Sequence, residues 1–172
     1  MSSDQKKVLI GMGRAIVFSA AFFVCMFRLL NIDITPPRGL DLAWKLSHAI
    51  KWDAIAALCL LAGIGWVANQ RFTSPGAIDG SPAPFLDIDR RYVQNTLEQL
   101  MLAVIAHLGL AVELPDNALQ AIPILVALFV IGRVAFWIGY HIAPSARAFG
   151  FATTFYPTVA AYVYVIAKIF AG

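Results

Sequence analysis

Apolar residues along this chain form five long runs that are separated by shorter polar segments. A helix needs about 20 mainly apolar residues to cross the hydrocarbon core of a bilayer. The second run is the shortest, although Trp52 and Trp66 could anchor its two ends at the membrane interfaces. We therefore predict five transmembrane helices, at Val8 to Leu30, Ala54 to Ala68, Asp89 to Val112, Ala118 to Tyr140 and Ala148 to Ala171.

The segments between the runs differ in character. Before the second run, apolar residues repeat at helical spacing from Leu40 to Ile50, which fits either an interfacial helix or an early start of the next span. The stretch from Asn69 to Asp89 is rich in proline and glycine and predicts an exposed loop. The short connections Glu113 to Asn117 and His141 to Arg147 imply that the helices they join are antiparallel neighbours.

Composition supports an integral membrane protein. Hydrophobic residues make up 60% of the 172 residues and charged residues only 13%, with a mean hydropathy of +0.74. A net charge of +3 is too small and too dispersed for a nucleic-acid-binding surface. Cys25 and Cys59 lie in apolar runs and are expected to be small buried hydrophobic residues. The Gly11-Met12-Gly13 sequence is expected to allow close helix packing.

The histidines do not indicate a metal site. They are far apart in the sequence, and no metal-binding motif accompanies them, so we expect no metal cofactor. His107 is expected to be a hydrogen-bonded core residue. Lys and Arg near the ends of the spans favour an orientation with the N-terminus and the two segments 69–89 and 141–147 on the cytoplasmic side. We expect a bacterial inner-membrane protein in which the first span is not cleaved.

Polar residues within the spans are the candidates for chemistry. Arg91, Asn95 and Glu98 are spaced i, i+4 and i+7, which places them on one face of a helix. Because an ionised side chain is costly inside a bilayer, Glu98 and Arg133 need partners, and their similar depths predict an ion pair. Such a pair could also serve only to fix the relative positions of the helices.

Several cations are expected at the same end of the bundle. Arg71, Arg91 and Arg147 would lie there with Asn95, Glu98 and Tyr140, although single cations at such positions are usually membrane anchors. Their convergence is better explained by a small anionic ligand that also carries an amine for Glu98.

These residues also carry a family resemblance. Arg91, Asn95 and Glu98 at the start of one span are followed by Gly132-Arg133-Val134-Ala135, Gly139-Tyr140 and Arg147. In this order and spacing, over about Ala54 to Gly172, they resemble the MAPEG family, the membrane-associated proteins in eicosanoid and glutathione metabolism.

The resemblance implies a fold, a ligand and residue roles. Family members are trimers of four-helix bundles that bind glutathione between subunits near the cytosolic face. It implies that Arg147 stabilises the glutathione thiolate as the catalytic residue. The glutathione-binding residues that it implies are Arg71, Arg91, Asn95, Glu98, Arg133 and Tyr140. We accordingly expect an all-α membrane protein, with an extra N-terminal transmembrane helix and loop in residues 1–51 and a MAPEG-like four-helix domain in residues 52–172.

Three features depart from the family pattern. Phe136 stands where well-known members have Tyr or His, Gln99 stands where some have Tyr, and the span from Val8 to Leu30 is additional. The expected function is a membrane-bound glutathione-dependent transferase or peroxidase for lipophilic electrophiles. The alternatives are a non-catalytic lipid-binding member and a structural subunit of a larger complex, with residues 8–30 contacting another membrane protein.

Overall fold

A computed structural model describes residues 2–30, 41–73 and 84–171, and all regular structure in these ranges is helical. The α-helices are α1 (Ser3–Leu29), α2 (Leu42–Thr73), α3 (Pro84–Glu113), α4 (Ala121–Ile142) and α5 (Arg147–Ala171). A short 3₁₀ turn, Asp116–Ala118, connects α3 to α4. All five helices are long and apolar enough to cross a membrane. The predicted all-α membrane fold with an additional N-terminal helix is confirmed.

Local capping explains why two helices begin earlier than the apolar runs. At the start of α1, Gln5 N donates to Ser2 Oγ (3.2 Å) and Ser2 N donates to Gln5 Oε1 (2.7 Å). Two backbone N–H groups that have no partner within the helix are thus hydrogen-bonded by side chains. At the start of α2, Trp44 N donates to Asp41 Oδ1 (2.7 Å). The apolar repeat before the second run is thus the early start of α2.

The loop predicted between the second and third spans is shorter than expected. Residues 69–73 continue α2, and residues 84–89 belong to α3. The rest of that predicted loop, residues 74–83, and the proline-containing part of the preceding connection, residues 31–40, lie outside the described residues. The division into residues 1–51 and 52–172 stays a prediction.

The bundle is organised around α4. It contacts all four other helices, whereas α1 packs mainly on α5 and to a lesser extent on α4. The additional helix therefore lies beside the bundle formed by α2 to α5. Of the two glycines expected to allow close packing, Gly11 faces α5 at an ordinary contact distance, since a Cβ atom there would lie 3.4 Å from Ala148 Cβ, and a Cβ atom on Gly13 would have no neighbour within 4 Å. Cys25, expected to be buried, is exposed on α1 because it points away from the bundle, and both cysteines are free.

The helices α4 and α5 approach each other closely at two glycines. A Cβ atom on Gly150 would overlap the backbone nitrogen of Phe136 and lie 2.6 Å from the carbonyl oxygen of Gly132. A Cβ atom on Gly132 would similarly lie 2.6 Å from Thr154 Cγ2. Small residues on both helices are thus required for this crossing, which places the start of α5 beside the end of α4.

Replacing Gly150 with leucine should destabilise the bundle, because the added side chain must separate α4 from α5. Overpacking of this kind typically costs about 1–3 kcal/mol. Gly13→Leu is the matched control, since a Cβ atom on Gly13 has no neighbour within 4 Å. In detergent, the unfolding temperature should decrease for Gly150→Leu and stay unchanged for Gly13→Leu. Equal unfolding temperatures of the two variants would contradict the described crossing of α4 and α5.

Candidate functional site

A pocket of about 440 Å³ lies between α1, α3, α4 and α5, at the end of the bundle where α1 begins. It brings together four of the predicted site residues, Arg91, Asn95, Tyr140 and Arg147. Phe136 also lines it, together with Val8 and Met12 of α1. The involvement of α1 was not predicted, because apolar residues on a transmembrane helix do not indicate which of its faces meets the protein.

Arg147 is held against Tyr140 at the start of α5. Its guanidinium carbon lies 4.6 Å from the centre of the Tyr140 ring, a distance at which a cation and an aromatic face attract each other. The Tyr140 ring in turn packs edge-on against Phe136 (5.4 Å between centroids). Arg147 is half-buried, so its orientation is restricted while the guanidinium still borders the pocket.

Arg133 lies directly behind the pocket and is completely buried. Its Nη1 donates to Asn95 Oδ1 (2.8 Å) and its Nη2 to Thr154 Oγ1 (2.6 Å), with the Gly150 carbonyl oxygen 3.5 Å away. The guanidinium also lies over the Phe136 ring, 4.7 Å from its centre. Within the described parts of the chain, no carboxylate contacts this cation, and its Nε has no hydrogen-bond partner.

The predicted ion pair between Glu98 and Arg133 is therefore wrong within one chain. Glu98 is exposed, and its Oε1 accepts a hydrogen bond from Gln94 Nε2 (2.9 Å) on the same helix. At 3.6 residues per turn, Glu98 lies about 60° around α3 from Asn95, so it points outward while Asn95 faces Arg133.

Arg71 also lies away from the pocket of its own chain. It is exposed near the end of α2. Its neighbour Gln70 contacts Asp89, on the side of α4 that carries Trp137 rather than Tyr140. Arg71 and Glu98 thus do not join the other predicted residues within one chain.

Asp89 forms a polar cluster that the sequence did not reveal. Only 1% of this residue is exposed. Its Oδ2 accepts hydrogen bonds from Trp66 Nε1 (3.1 Å) and Gln70 Nε2 (3.0 Å), and its Oδ1 accepts one from Trp137 Nε1 (2.9 Å) and lies 3.1 Å from His141 Nε2. Trp137 and His141 lie one helical turn apart on α4, and this pair of polar nitrogens on one face was the sequence feature that could have indicated the cluster. The cluster joins the ends of α2, α3 and α4.

A second buried polar contact joins α2 to α3. His107 Nδ1 lies 2.6 Å from Asp53 Oδ1, and both side chains are buried. The prediction that His107 is a hydrogen-bonded core residue is confirmed. Its partner was missed because Asp53 immediately precedes the apolar run of the second span.

Asp89→Asn should destabilise the protein, because an amide loses the charge and presents only one acceptor oxygen to four donors. Hydrogen bonds to charged groups contribute about 1.5–3 kcal/mol each, so the unfolding temperature should decrease by several degrees. Asp87→Asn provides the control, since Asp87 is exposed two residues away. Similar thermal stability of the two variants would show that the Asp89 cluster does not hold the helix ends.

Comparison with known proteins places the chain in a family. The model of the MAPEG family matches residues 50–167. Transmembrane protein 79 of Mus musculus is 31% identical over 162 residues, and Transmembrane protein 79 of Bos taurus is 31% identical over 156 residues. No solved structure matches the chain significantly.

The extent of these matches bears on the additional helix. They cover 91% and 90% of this chain but 41% and 39% of the two relatives, so the chain spans about two fifths of their length. Such matches extend beyond residues 50–167 into the N-terminal segment. The chain belongs to the MAPEG family and carries an additional N-terminal transmembrane helix.

Proposed function

We propose that the protein is a glutathione-dependent transferase or peroxidase for lipophilic electrophiles, in which Arg147 stabilises the glutathione thiolate. Membership of the MAPEG family supports this class of activity. The observation that carries the proposal is the charge of the pocket. Arg91 and Arg147 line it, Arg133 lies behind it, and no carboxylate belongs to its walls among the described residues.

The electrostatics of the pocket favour an anionic ligand. A buried guanidinium without a carboxylate partner leaves a positive potential that an anion nearby would offset. Glutathione carries two carboxylates, and Arg91 is exposed at the pocket edge where it could bind one of them. Because Asn95 Oδ1 accepts from Arg133, the Asn95 amide nitrogen remains available to donate to the ligand.

Arg147 is suited to hold the sulfur as an anion. Only a few per cent of an ordinary thiol is ionised at neutral pH, and the thiolate is the reactive form. Lowering the thiol pKa by about two units needs about 2.7 kcal/mol of preferential stabilisation of the anion, which a nearby guanidinium can supply. In a conjugation, the sulfur forms a bond to an electrophilic carbon and the leaving group departs with the bonding electrons.

We further propose that the site is shared between subunits of a homotrimer. Arg71 and Glu98 match family glutathione ligands but are exposed outside the pocket of their own chain. A neighbouring subunit would let Glu98 meet the amino group of a glutathione molecule bound by Arg91 and Arg147. From the Lys and Arg residues near the ends of the spans, we also propose that the site lies at the cytoplasmic face of a bacterial inner membrane.

A non-catalytic, lipid-binding member of the family is the second candidate. The observation in its favour is Phe136, whose ring lines the pocket where the resemblance leads us to expect a polar side chain. In this chain the ring packs against Arg133 instead of offering a hydrogen bond. This candidate and the transferase are separated by turnover of glutathione with a model electrophile.

Arg147→Ala should reduce kcat/KM for conjugation of glutathione to a model electrophile by about a hundredfold, the equivalent of about 2.7 kcal/mol. The thiolate absorbance of bound glutathione should decrease in parallel, and Arg147→Lys should restore part of both. Arg90→Ala is the control, since Arg90 is exposed and does not line the pocket. A folded protein that neither binds nor conjugates glutathione would eliminate the transferase.

Mixed trimers test whether two chains form each site. Glu98→Gln and Arg147→Ala should each strongly reduce the activity of a homotrimer. Co-expression of the two variants should restore activity, because some sites would then combine Arg147 of one chain with Glu98 of another. Co-assembled trimers without activity would indicate that Glu98 does not act in a neighbouring site.

A further inference from the structure

The hydrogen bonds of Arg133 run in one direction. A guanidinium group only donates, so each partner must present an acceptor. Arg133 Nη2 donates to Thr154 Oγ1 (2.6 Å), and Nη1 donates to Asn95 Oδ1 (2.8 Å). Because only the oxygen of the Asn95 amide can accept, this contact also fixes which way the amide faces. The amide nitrogen, a donor, is thus left for the pocket that Asn95 lines.

Thr154 is held so that its hydroxyl oxygen faces Arg133. The residue is buried, and its methyl group packs so closely on α4 that a Cβ atom on Gly132 would lie 2.6 Å from it. The hydroxyl proton is directed to the carbonyl oxygen of Phe151 (2.9 Å), while Gln99 Oε1 lies farther away at 3.5 Å. A hydroxyl group has a single proton, so only its lone pairs remain for the guanidinium. Thr154 is therefore an acceptor for Arg133.

Both side-chain acceptors of Arg133 are neutral, although a carboxylate would bind a guanidinium more strongly. Asn95→Asp would neutralise the cation, and its two oxygens could only accept, so the pocket would lose both a positive charge and a donor. The combination of Asn95 and Thr154 satisfies the guanidinium and keeps both. It therefore favours a ligand that brings its own negative charge and an acceptor oxygen.

We propose that Thr154 is a positioning residue for ligand binding, which holds Arg133 so that the Asn95 amide nitrogen is turned towards a carboxylate of bound glutathione. The inference rests on the proposed function and adds a residue that does not itself line the pocket. Its action is separate from that of Arg147, which acts on the sulfur. Thr154 should therefore affect how tightly glutathione binds and leave the reactivity of the bound thiolate unchanged.

Thr154→Val keeps the shape of the side chain and removes the hydroxyl group. Calorimetric titration of the detergent-solubilised protein should show glutathione binding about tenfold more weakly, the effect of losing one hydrogen bond to a charged group. KM for glutathione should rise in parallel, while kcat at saturating glutathione and the thiolate absorbance of fully bound glutathione stay the same. Thr154→Ser keeps the hydroxyl group and should restore the affinity.

Thr153 provides a matched control. It is completely buried beside Thr154, but its Oγ1 donates to the carbonyl oxygen of Phe149 in its own helix (2.8 Å). Thr153→Val thus removes an equally buried hydroxyl group without changing the contacts of Arg133, and its affinity for glutathione should equal that of the wild-type protein. Equal losses of affinity in Thr153→Val and Thr154→Val would overturn the proposal, because they would reflect helix packing alone.

A double-mutant cycle tests whether Thr154 acts through Asn95. The amide nitrogen is absent from Asn95→Ala, so adding Thr154→Val to this variant should cause no further loss of glutathione affinity. A second loss as large as that of Thr154→Val alone would overturn the proposal.

Asn95→Asp tests the direction of the hydrogen bonds even where Thr154→Val does not fold. A carboxylate still accepts from Arg133, so the unfolding temperature should not decrease, yet glutathione affinity should fall at least about tenfold because the donor is lost. Unchanged affinity would show that the Asn95 nitrogen does not donate to the ligand, which contradicts the proposal.

These measurements separate the inference from the proposed function. Glutathione binding that responds as expected to Thr154→Val, without any turnover, would refute the transferase and retain the role of Thr154. Turnover with unchanged glutathione affinity in Thr154→Val would retain the transferase and refute that role. A wild-type protein that does not bind glutathione would refute both.

Discussion

The arrangement of this bundle depends on one guanidinium group that is buried within the membrane-spanning region. A charged side chain at the centre of a bilayer helix costs about 2.5–3.5 kcal/mol even on an insertion scale, so Arg133 must be satisfied within the protein. Asn95 of α3 and Thr154 of α5 accept its hydrogen bonds, and Phe136 covers its face. The same contacts fix three helices around the pocket and leave the pocket positively charged.

Much of the fold could be predicted from the sequence, because a bilayer selects long apolar helices and these are recognisable without tertiary information. Arg91 and Asn95 were placed on one face by helical spacing, and the short turn before Arg147 implied that it lies beside Tyr140. These four residues do line one pocket. The helix starts were less accurate, since Ser2 and Asp41 extend α1 and α2 through local hydrogen bonds that hydropathy does not reflect.

Contacts between distant helices could not be predicted, because they depend on how each helix is rotated about its axis. Glu98 and Arg133 have similar expected depths in the membrane. Glu98 nevertheless lies about 60° around α3 from the face that contacts Arg133. Asp89 looked like a loop end but accepts hydrogen bonds within the bundle. On α1, lipid-facing and protein-facing positions are both apolar, so the face that carries Met12 could be recognised only from the structure.

We propose that the pocket between α1, α3, α4 and α5 binds glutathione. A density map of the protein in lipid nanodiscs with glutathione tests it most directly. We expect tripeptide-sized density with a carboxylate near Arg91, the sulfur near Arg147, and Glu98 of a neighbouring subunit near the amino group. A map of well-ordered protein at saturating glutathione in which this pocket holds only lipid or solvent would contradict it.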